Sequence, residues 1–454
     1  MKRLDRPVPE VGVGRDTALA ELADVVVANG LRVGHPGFTG WVTTMPTDVG
    51  AAADLAQTVA IAQRWWATPG NFVDHLAVRW LIALLGFPAG YVGTLTSGGS
   101  TANLIGIGSA RQHAGERLGL NPSLDGIGGM VEPRVYASET THHVVGRALG
   151  VLGMGRRNLR AIPLDDRGTI DLKRLEEALA EDEGDGCTQV AIVGSAGDAN
   201  MGLIDPLPEL ARIARERDIW FHVDGAYGGF GLLDPRIRDR YGDVALYDSF
   251  AVDPHKWMAA PVGTGAVFVR DEGVLTRAFT IETGAYDSER DVELGVGDTG
   301  SPFNELGHGT PDWGVDFSTP ARGVAVWAIL NEIGAEGMKQ RVMRHNDCAR
   351  RVADRVEASS ELELLAEPTL SICCFRYRPP ELADEEVDAF NETLLHELRA
   401  GGRYVTSSTV VNGAFALRPC FINPRSTIAE ADGLVDEVIA IGRRLGGTPG
   451  VRGA

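Results

Sequence analysis

Phe221-His222-Val223-Asp224-Gly225-Ala226-Tyr227-Gly228-Gly229 closes an apolar stretch on an acid, and thirty-two positions beyond Asp224 the run Ser249-Phe250-Ala251-Val252-Asp253-Pro254-His255-Lys256-Trp257 closes another on a lysine. Each stretch reads as a buried strand, so an Asp stands at the end of one strand and a Lys just past the next. That is the arrangement a pyridoxal phosphate enzyme needs. The ε-amine forms a Schiff base with the cofactor aldehyde, and the carboxylate keeps the pyridine nitrogen protonated, so that the ring draws electrons from a substrate Cα. The plainer readings are a solvent-exposed charge for Lys256 and a strand-end cap for Asp224. Pro254, His255 and Trp257 argue against a free surface position for the lysine, and a carboxylate facing a pyridinium suits an electron sink better than a cap.

Outward from this pair, strand patterns at Arg134 to Ala137, Gln189 to Gly194, Ile219 to Val223, Leu246 to Val252 and Gly265 to Val269 alternate with helical ones. The alternation predicts an α/β fold with a mainly parallel sheet covered on both faces, whose ligands bind at the carboxyl ends of the strands. Residues 1–70 read as an N-terminal arm with one helix near Ala51 to Trp66, residues 71–320 as a large cofactor-binding domain, and residues 321–454 as a small C-terminal α/β domain. The small domain has strand candidates at Leu370 to Tyr377 and Phe415 to Arg418, with helices near Asp384 to Arg399 and Ile428 to Leu445. A helical stretch from Ser318, interrupted at a Gly, continues to Val356. Between them Ala285 to Trp313 is rich in Gly, Asp and Glu and lacks a hydrophobic period, which marks a functional or mobile loop.

Phosphate binding needs backbone N–H groups and a helix N-terminus behind them, and Ser97-Gly98-Gly99-Ser100-Thr101 before an apolar helix supplies both, although Gly-Gly-Ser also makes an ordinary turn. His142 and His143 follow a strand; an imidazole there can lie on a pyridoxal ring and pass a proton to the substrate carbon, or simply pack at a helix start. Adjacent histidines point in different directions, so one at most faces the ring. His222 shares the face of Asp224 and reads either as a hydrogen-bonded strand residue or as a metal ligand with Asp253 and His255. A metal would leave Lys256 as an unpaired cation beside it at a cost on the order of several kcal/mol, so no metal is expected.

The 43 basic and 62 acidic residues give a net charge of -19, which repels nucleic acid and anionic lipid. The N-terminal segment lacks the apolar stretch of a secretory signal, and no run has the apolar length to span a bilayer. A cytoplasmic enzyme with a small-molecule amino acid substrate is expected. Cys187, Cys348, Cys373, Cys374 and Cys420 are odd in number and lack CxxC spacing, which suits reduced thiols.

His222-Val223-Asp224-Gly225-Ala226-Tyr227-Gly228-Gly229 together with Asp253-Pro254-His255-Lys256-Trp257 resembles the group II pyridoxal-phosphate-dependent decarboxylases, which include the aromatic amino acid and glutamate decarboxylases. The resemblance extends through Thr96 to Asn103, Ser138 to Ala148, Ile204-Asp205-Pro206-Leu207 and Ala416-Leu417-Arg418-Pro419. It implies a fold-type I homodimer with active sites at the subunit interface. By position it implies that Lys256 holds the cofactor, Asp224 its ring nitrogen and His142 its ring face, that Ala226 packs beneath the ring, and that Gly99, Ser100 and His255 lie near the phosphate. The expected activity is decarboxylation at an amino acid Cα; decarboxylation coupled to oxidative deamination, giving an aldehyde, and β-elimination from a cysteine conjugate stay open, and a catalytically silent scaffold is the non-enzyme alternative. The chain departs from the family at Pro69 to His75 in the arm and at Gly197-Asp198-Ala199-Asn200, where Gly-Thr-Thr is usual. The Tyr that often protonates the substrate carbanion from the loop is also missing between Asp287 and Trp313, with Tyr286 at the loop entrance.

Overall fold

The computed structural model describes residues 4–61, 68–280, 313–316 and 318–446. Its strands, in chain order, are β1 (Phe38–Thr39), β2 (Val92–Thr96), β3 (Arg134–Ser138), β4 (Leu159–Ile162), β5 (Gln189–Ser195), β6 (Trp220–Gly225), β7 (Ser249–Val252), β8 (Gly265–Val269), β9 (Leu362–Ala366), β10 (Cys374–Tyr377), β11 (Val405–Val411) and β12 (Ala414–Arg418). Seven form a sheet in the order β2-β8-β7-β6-β5-β3-β4. The pairings β3/β4, β3/β5, β5/β6 and β6/β7 are parallel, and β8 runs against both its neighbours.

The period-two rule explains how this sheet buries both faces. Tyr136, Ile192, Phe221, Val223, Phe250 and Val252 enter one apolar cluster with the Thr68–Leu85 and Leu207–Glu216 helices. Their strand neighbours Val135, Ala137, Ala191, Val193, Trp220 and Ala251 enter the other, beneath the Gly99–Arg117 helix. Full burial of one such Phe, Val or Ile stabilises the fold by about 1.5–3 kcal/mol, and truncating the wholly buried Phe250 to Ala costs about 3–5 kcal/mol. Counting by twos from Trp220, His222 and Asp224 face the Gly99–Arg117 helix. This parity sets the site.

The Gly323–Glu357 helix breaks at Gly334, whose φ of 66° and ψ of 179° leave the helical region, in keeping with the predicted Gly interruption. Beyond it β1-β11-β12-β10-β9 make a five-stranded sheet, to which β1 from the first seventy residues contributes an edge by pairing parallel with β11. Asn423 ties the same segment down, its amide donating to the carbonyl of His35 at 2.9 Å. The arm holds more regular structure than the single helix predicted. Besides Asp48–Ala60 there is a helix at Arg15–Glu21 running into a π-helical turn at Leu22–Val27. Arg15–Glu21 buries none of its residues, so it has no apolar stripe for a periodicity argument to find. Of the predicted loop Ala285 to Trp313 only Trp313 falls among the described residues; Tyr286 lies outside them.

Candidate active site

At the carboxyl ends of β6 and β7 a cavity of about 330 Å³ opens, lined by Ser97, Gly98, Gly99, Ser100, His142, Asp224, Ala226, Asp253, His255 and Lys256. The ten residues expected at the cofactor thus converge from four separate stretches of chain. Asn103, Val144, Ser195, Gly197, Asp198, Ala199, Tyr227, Val262 and Gly263 complete the lining.

The strand ends supply the charges. Asp224 closes β6, and its Oδ1 accepts the Ala226 N–H at 3.0 Å. Lys256 follows β7 by one turn, with Nζ 3.1 Å from Asp253 Oδ2. The lysine side chain is 21% exposed and the aspartate 2%. His255 spends its Nδ1–H on the Thr264 carbonyl at 2.9 Å, which leaves Nε2 as the nitrogen without that commitment. Opposite, Gly98 has a φ of 119° that an L side chain rarely adopts, and the Gly99–Arg117 helix starts without a side-chain cap. A Cβ on Gly99 would lie 2.7 Å from Asp253 Oδ2 and 3.0 Å from Ala226 Cβ, so only glycine lets the helix start come this close. Open N-terminal amides beside a lysine make a cradle for a phosphate.

His142 accepts the Val144 N–H on Nδ1 at 3.4 Å. His142 is exposed; lost hydration still holds its pKa below the ordinary imidazole value, with Asp224 pulling the other way. The two adjacent histidines do not diverge as expected. Their ring centroids are 4.2 Å apart with 32° between planes, because both sit in the turn entering the Val144–Val151 helix, yet only His142 lines the cavity.

His222 is wholly buried with both nitrogens committed, so it has none left for a metal with Asp253 and His255. Asn103 donates to the Gly99 carbonyl at 2.8 Å, which turns its Oδ1 toward His222 Nε2 at 2.9 Å and requires the hydrogen there. Nδ1 then accepts from Ser249 Oγ at 2.8 Å, and Ser249 accepts the Trp220 indole N–H at 2.8 Å. Burial drives the His222 pKa down to about 4, in agreement with this neutral tautomer. The relay of Trp220, Ser249, His222 and Asn103 therefore ends on the cradle itself.

Two lining features have roles that the sequence did not show, Tyr227 and the Asp198 turn. Tyr227 stacks on Trp257 at 5.3 Å and 12° and shares a 2.7 Å hydrogen bond with Ser371, which braces the lysine segment against the C-terminal part of the chain. Trp257 continues that brace by donating to His345 at 2.9 Å. Asp198 folds back on its own loop, accepting from the amides of Asn200, Met201 and Leu203, while Arg418 donates to the Ala199 carbonyl. Where the family's hydroxyl run is absent, the chain thus has a self-satisfied acidic turn. Tyr227 lay inside the quoted motif, and Asn103 stands one helical turn after Gly99; their partners are distant in sequence.

The model of the pyridoxal-dependent decarboxylase conserved domain matches residues 16–378. The aromatic-L-amino-acid decarboxylase of Bacillus atrophaeus is 30% identical over 437 residues, 94% of this chain and 85% of that protein. Among solved structures, the Oryza sativa TDC with PLP and tryptamine superposes with a TM-score of 0.87 at 23% identity, over 98% of this chain and 91% of the other. Rhodiola rosea 4-hydroxyphenylacetaldehyde synthase has a TM-score of 0.84 at 19% identity over the same shares. At such identities these two establish the fold alone. With the sequence match spanning most of its length and the strand-end cavity in place, the chain belongs to the family of pyridoxal-dependent decarboxylases.

Proposed function

We propose that the enzyme removes the carboxyl group of a free α-amino acid, with Lys256, Asp224 and His142 as the residues that carry the reaction. The observation that supports this most is the convergence of those three side chains on one cavity in a chain that the family matches over residues 16–378. The residues fit pyridoxal phosphate: a glycine that a Cβ would replace at the cradle, an uncapped helix start, and a lysine and a carboxylate at neighbouring strand ends. When bound, pyridoxal phosphate supplies an electron sink for the bond broken at Cα. Lys256 holds it covalently through Nζ. Asp224 would keep a proton on the ring nitrogen, and Ala226 would pack beneath the ring. Gly99, Ser100 and His255 would hold the phosphate, with Ser97, Gly98 and Asp253 as further cofactor contacts, while His142 would bring a proton to Cα.

A panel of amino acids, aromatic ones first because of the Bacillus relative, tests the reading. Scored separately, carbon dioxide should appear in step with amine, without ammonia, peroxide or thiol. Aldehyde with ammonia and peroxide would replace simple decarboxylation by its oxidative variant, thiol with ammonia would replace it by β-elimination, and no turnover on any substrate would leave a silent scaffold.

The working unit is proposed to be a cytoplasmic homodimer with an arm (1–70), a large domain (71–320) and a small domain (321–454). Leu19, Leu22, Val26 and Val27 stand exposed on the arm, an apolar surface that a second copy would cover. All five cysteines are free, as a reducing compartment favours. No helix among the described residues is long and apolar enough to cross a membrane. Sedimentation should give twice the 48.5 kDa of the chain; full activity in a 48.5 kDa species would contradict the dimer.

A further inference from the structure

The hydrogen bonds behind the cavity run in one direction only. An indole N–H can only donate and a backbone carbonyl can only accept, so Trp220 at one end and the Gly99 carbonyl at the other fix every hydrogen between them. Trp220 donates to Ser249 at 2.8 Å, Ser249 to His222 at 2.8 Å, His222 to Asn103 at 2.9 Å and Asn103 to Gly99 at 2.8 Å. All four side chains are buried. A flipped Asn103 amide or the other His222 tautomer would leave buried donors or acceptors facing their own kind, so the set has a single satisfied arrangement.

This chain of bonds crosses from sheet to helix at a defined height. His222 pairs in register with Ser249 and stands two residues before Asp224, roughly 7 Å back from the strand end. Asn103 stands four residues after Gly99, about 6 Å along the helix from its start. The tie is therefore set back from both functional ends by nearly the same length. Gly106, three residues beyond Asn103, shares the helix face turned to β6, and a Cβ there would lie 2.5 Å from His222 Cε1 and 2.6 Å from Nδ1. Alanine is the better helix former at an interior position, so this glycine serves the close approach.

β6 carries Asp224, and the helix start carries the amides of the cradle. The two grips on the cofactor thus belong to separate elements, whereas the span between the ring nitrogen and the phosphate of one small molecule changes little. We infer that His222 is a positioning residue for the cofactor: through Asn103 it holds the start of the Gly99–Arg117 helix at the spacing from β6 that lets the cradle take the phosphate while Asp224 meets the ring. This rests on the cofactor assignment above. His222 does not line the cavity and acts through Asn103, which does.

The readout is selectivity for the phosphate, which plain destabilisation does not move. Full-length wild type, His222→Leu and His222→Gln, each freed of cofactor, are titrated with pyridoxal 5'-phosphate and with pyridoxal. Both probes carry the aldehyde, so the ratio of the pyridoxal Kd to the pyridoxal 5'-phosphate Kd isolates the grip on the phosphate. His222→Leu fills the space but donates nothing to Asn103, and it should lower that ratio about tenfold, as weakening one hydrogen bond to a charged group does. His222→Gln, whose amide N–H reaches the place of Nε2–H, should keep most of it. An unchanged ratio in His222→Leu, or an equal loss in His222→Gln, would overturn the proposal. If His222→Leu does not fold, Gly106→Ala puts the same question from the helix side. Its added Cβ pushes the helix off His222 and should lower the ratio likewise; an unchanged ratio would overturn the proposal. A wild type that binds both probes equally would instead defeat the cofactor assignment and the inference with it.

Discussion

His222 is tied to the Gly99–Arg117 helix through Asn103, His142 lines the cavity at that helix's start, and the two differ in almost every physical respect. His222, behind the strand ends, is wholly buried, has both nitrogens hydrogen-bonded, and is pushed down to about 4. His142, at the rim, is exposed, has one long contact to an amide, and borders the cavity. A ring with both nitrogens occupied can position its neighbours but has no site left for moving a proton. A ring with an uncommitted nitrogen can do chemistry. The back of the site is therefore preorganised structure, and the rim holds the ring free to carry a proton in the proposed reaction.

The largest effect expected from breaking this division is at the end of the buried strand. Asp224→Asn should keep the covalent cofactor yet lower kcat by at least about 10²-fold, since a neutral amide cannot hold the ring proton; unchanged turnover would remove Asp224 from the reaction. At the rim, His142→Asn should lower amine formation by about 10²-fold or more and suppress it more than substrate consumption, because an unquenched carbanion has time to meet oxygen. The product ratio of amine to aldehyde under air and under nitrogen reads this directly. Equal ratios and rates in both proteins would mean that another group delivers the proton.

The smallest effect is on stability. The pKa of His222 falls from 6.5 to about 4 on folding, so the unfolded chain binds the proton first. Its contribution is complete above pH 6.5 and is lost as pH drops toward 4, amounting to about 3 kcal/mol over that window. Buried Asp205, raised to about 6, works in the opposite sense, its share being present in acid and lost as pH rises through 6. The informative quantity is hence a difference: between pH 7 and 4.5 the urea midpoint of wild type should fall further than that of His222→Gln. Parallel loss in both would refute the role assigned to burial of His222.

Much of this division was legible in the sequence. β6 and β7 are short apolar runs that end on charged motifs, and the predicted strand at Gly265 to Val269 matches β8 residue for residue. Period two placed His222 on the face of Asp224, and the parity held. Other elements gave no such signal. β11 reads Val-Thr-Ser-Ser-Thr-Val-Val, a half-polar strand whose alternation is blurred by buried hydroxyls, as Ser407 illustrates by bonding Arg418 across the sheet. β1 is two residues long and exists through its pairing with Val405 and Thr406, more than 360 positions away. β2 and β4 went unread because a strand of four or five residues beside a glycine or arginine run carries too few positions to show a period. In the site, Lys256, Asp224 and the cradle were visible as local motifs; the relay through Ser249 and Asn103, and the brace of Tyr227 on Ser371, join residues brought together only by folding.

Lys256 is the proposed attachment point, and the chain makes it unusually easy to check, since its only lysines are Lys2, Lys173, Lys256 and Lys339. Lys173 and Lys339 are 82% and 41% exposed and pair with glutamates one helical turn away, whereas Lys256 lines the cavity. Borohydride reduction of the protein supplied with pyridoxal phosphate, followed by peptide mapping, should place the pyridoxyl group on Lys256 and on no other lysine. Label on Lys173 or Lys339, or a cofactor-saturated protein that carries no label, would rule out Lys256 as the attachment point.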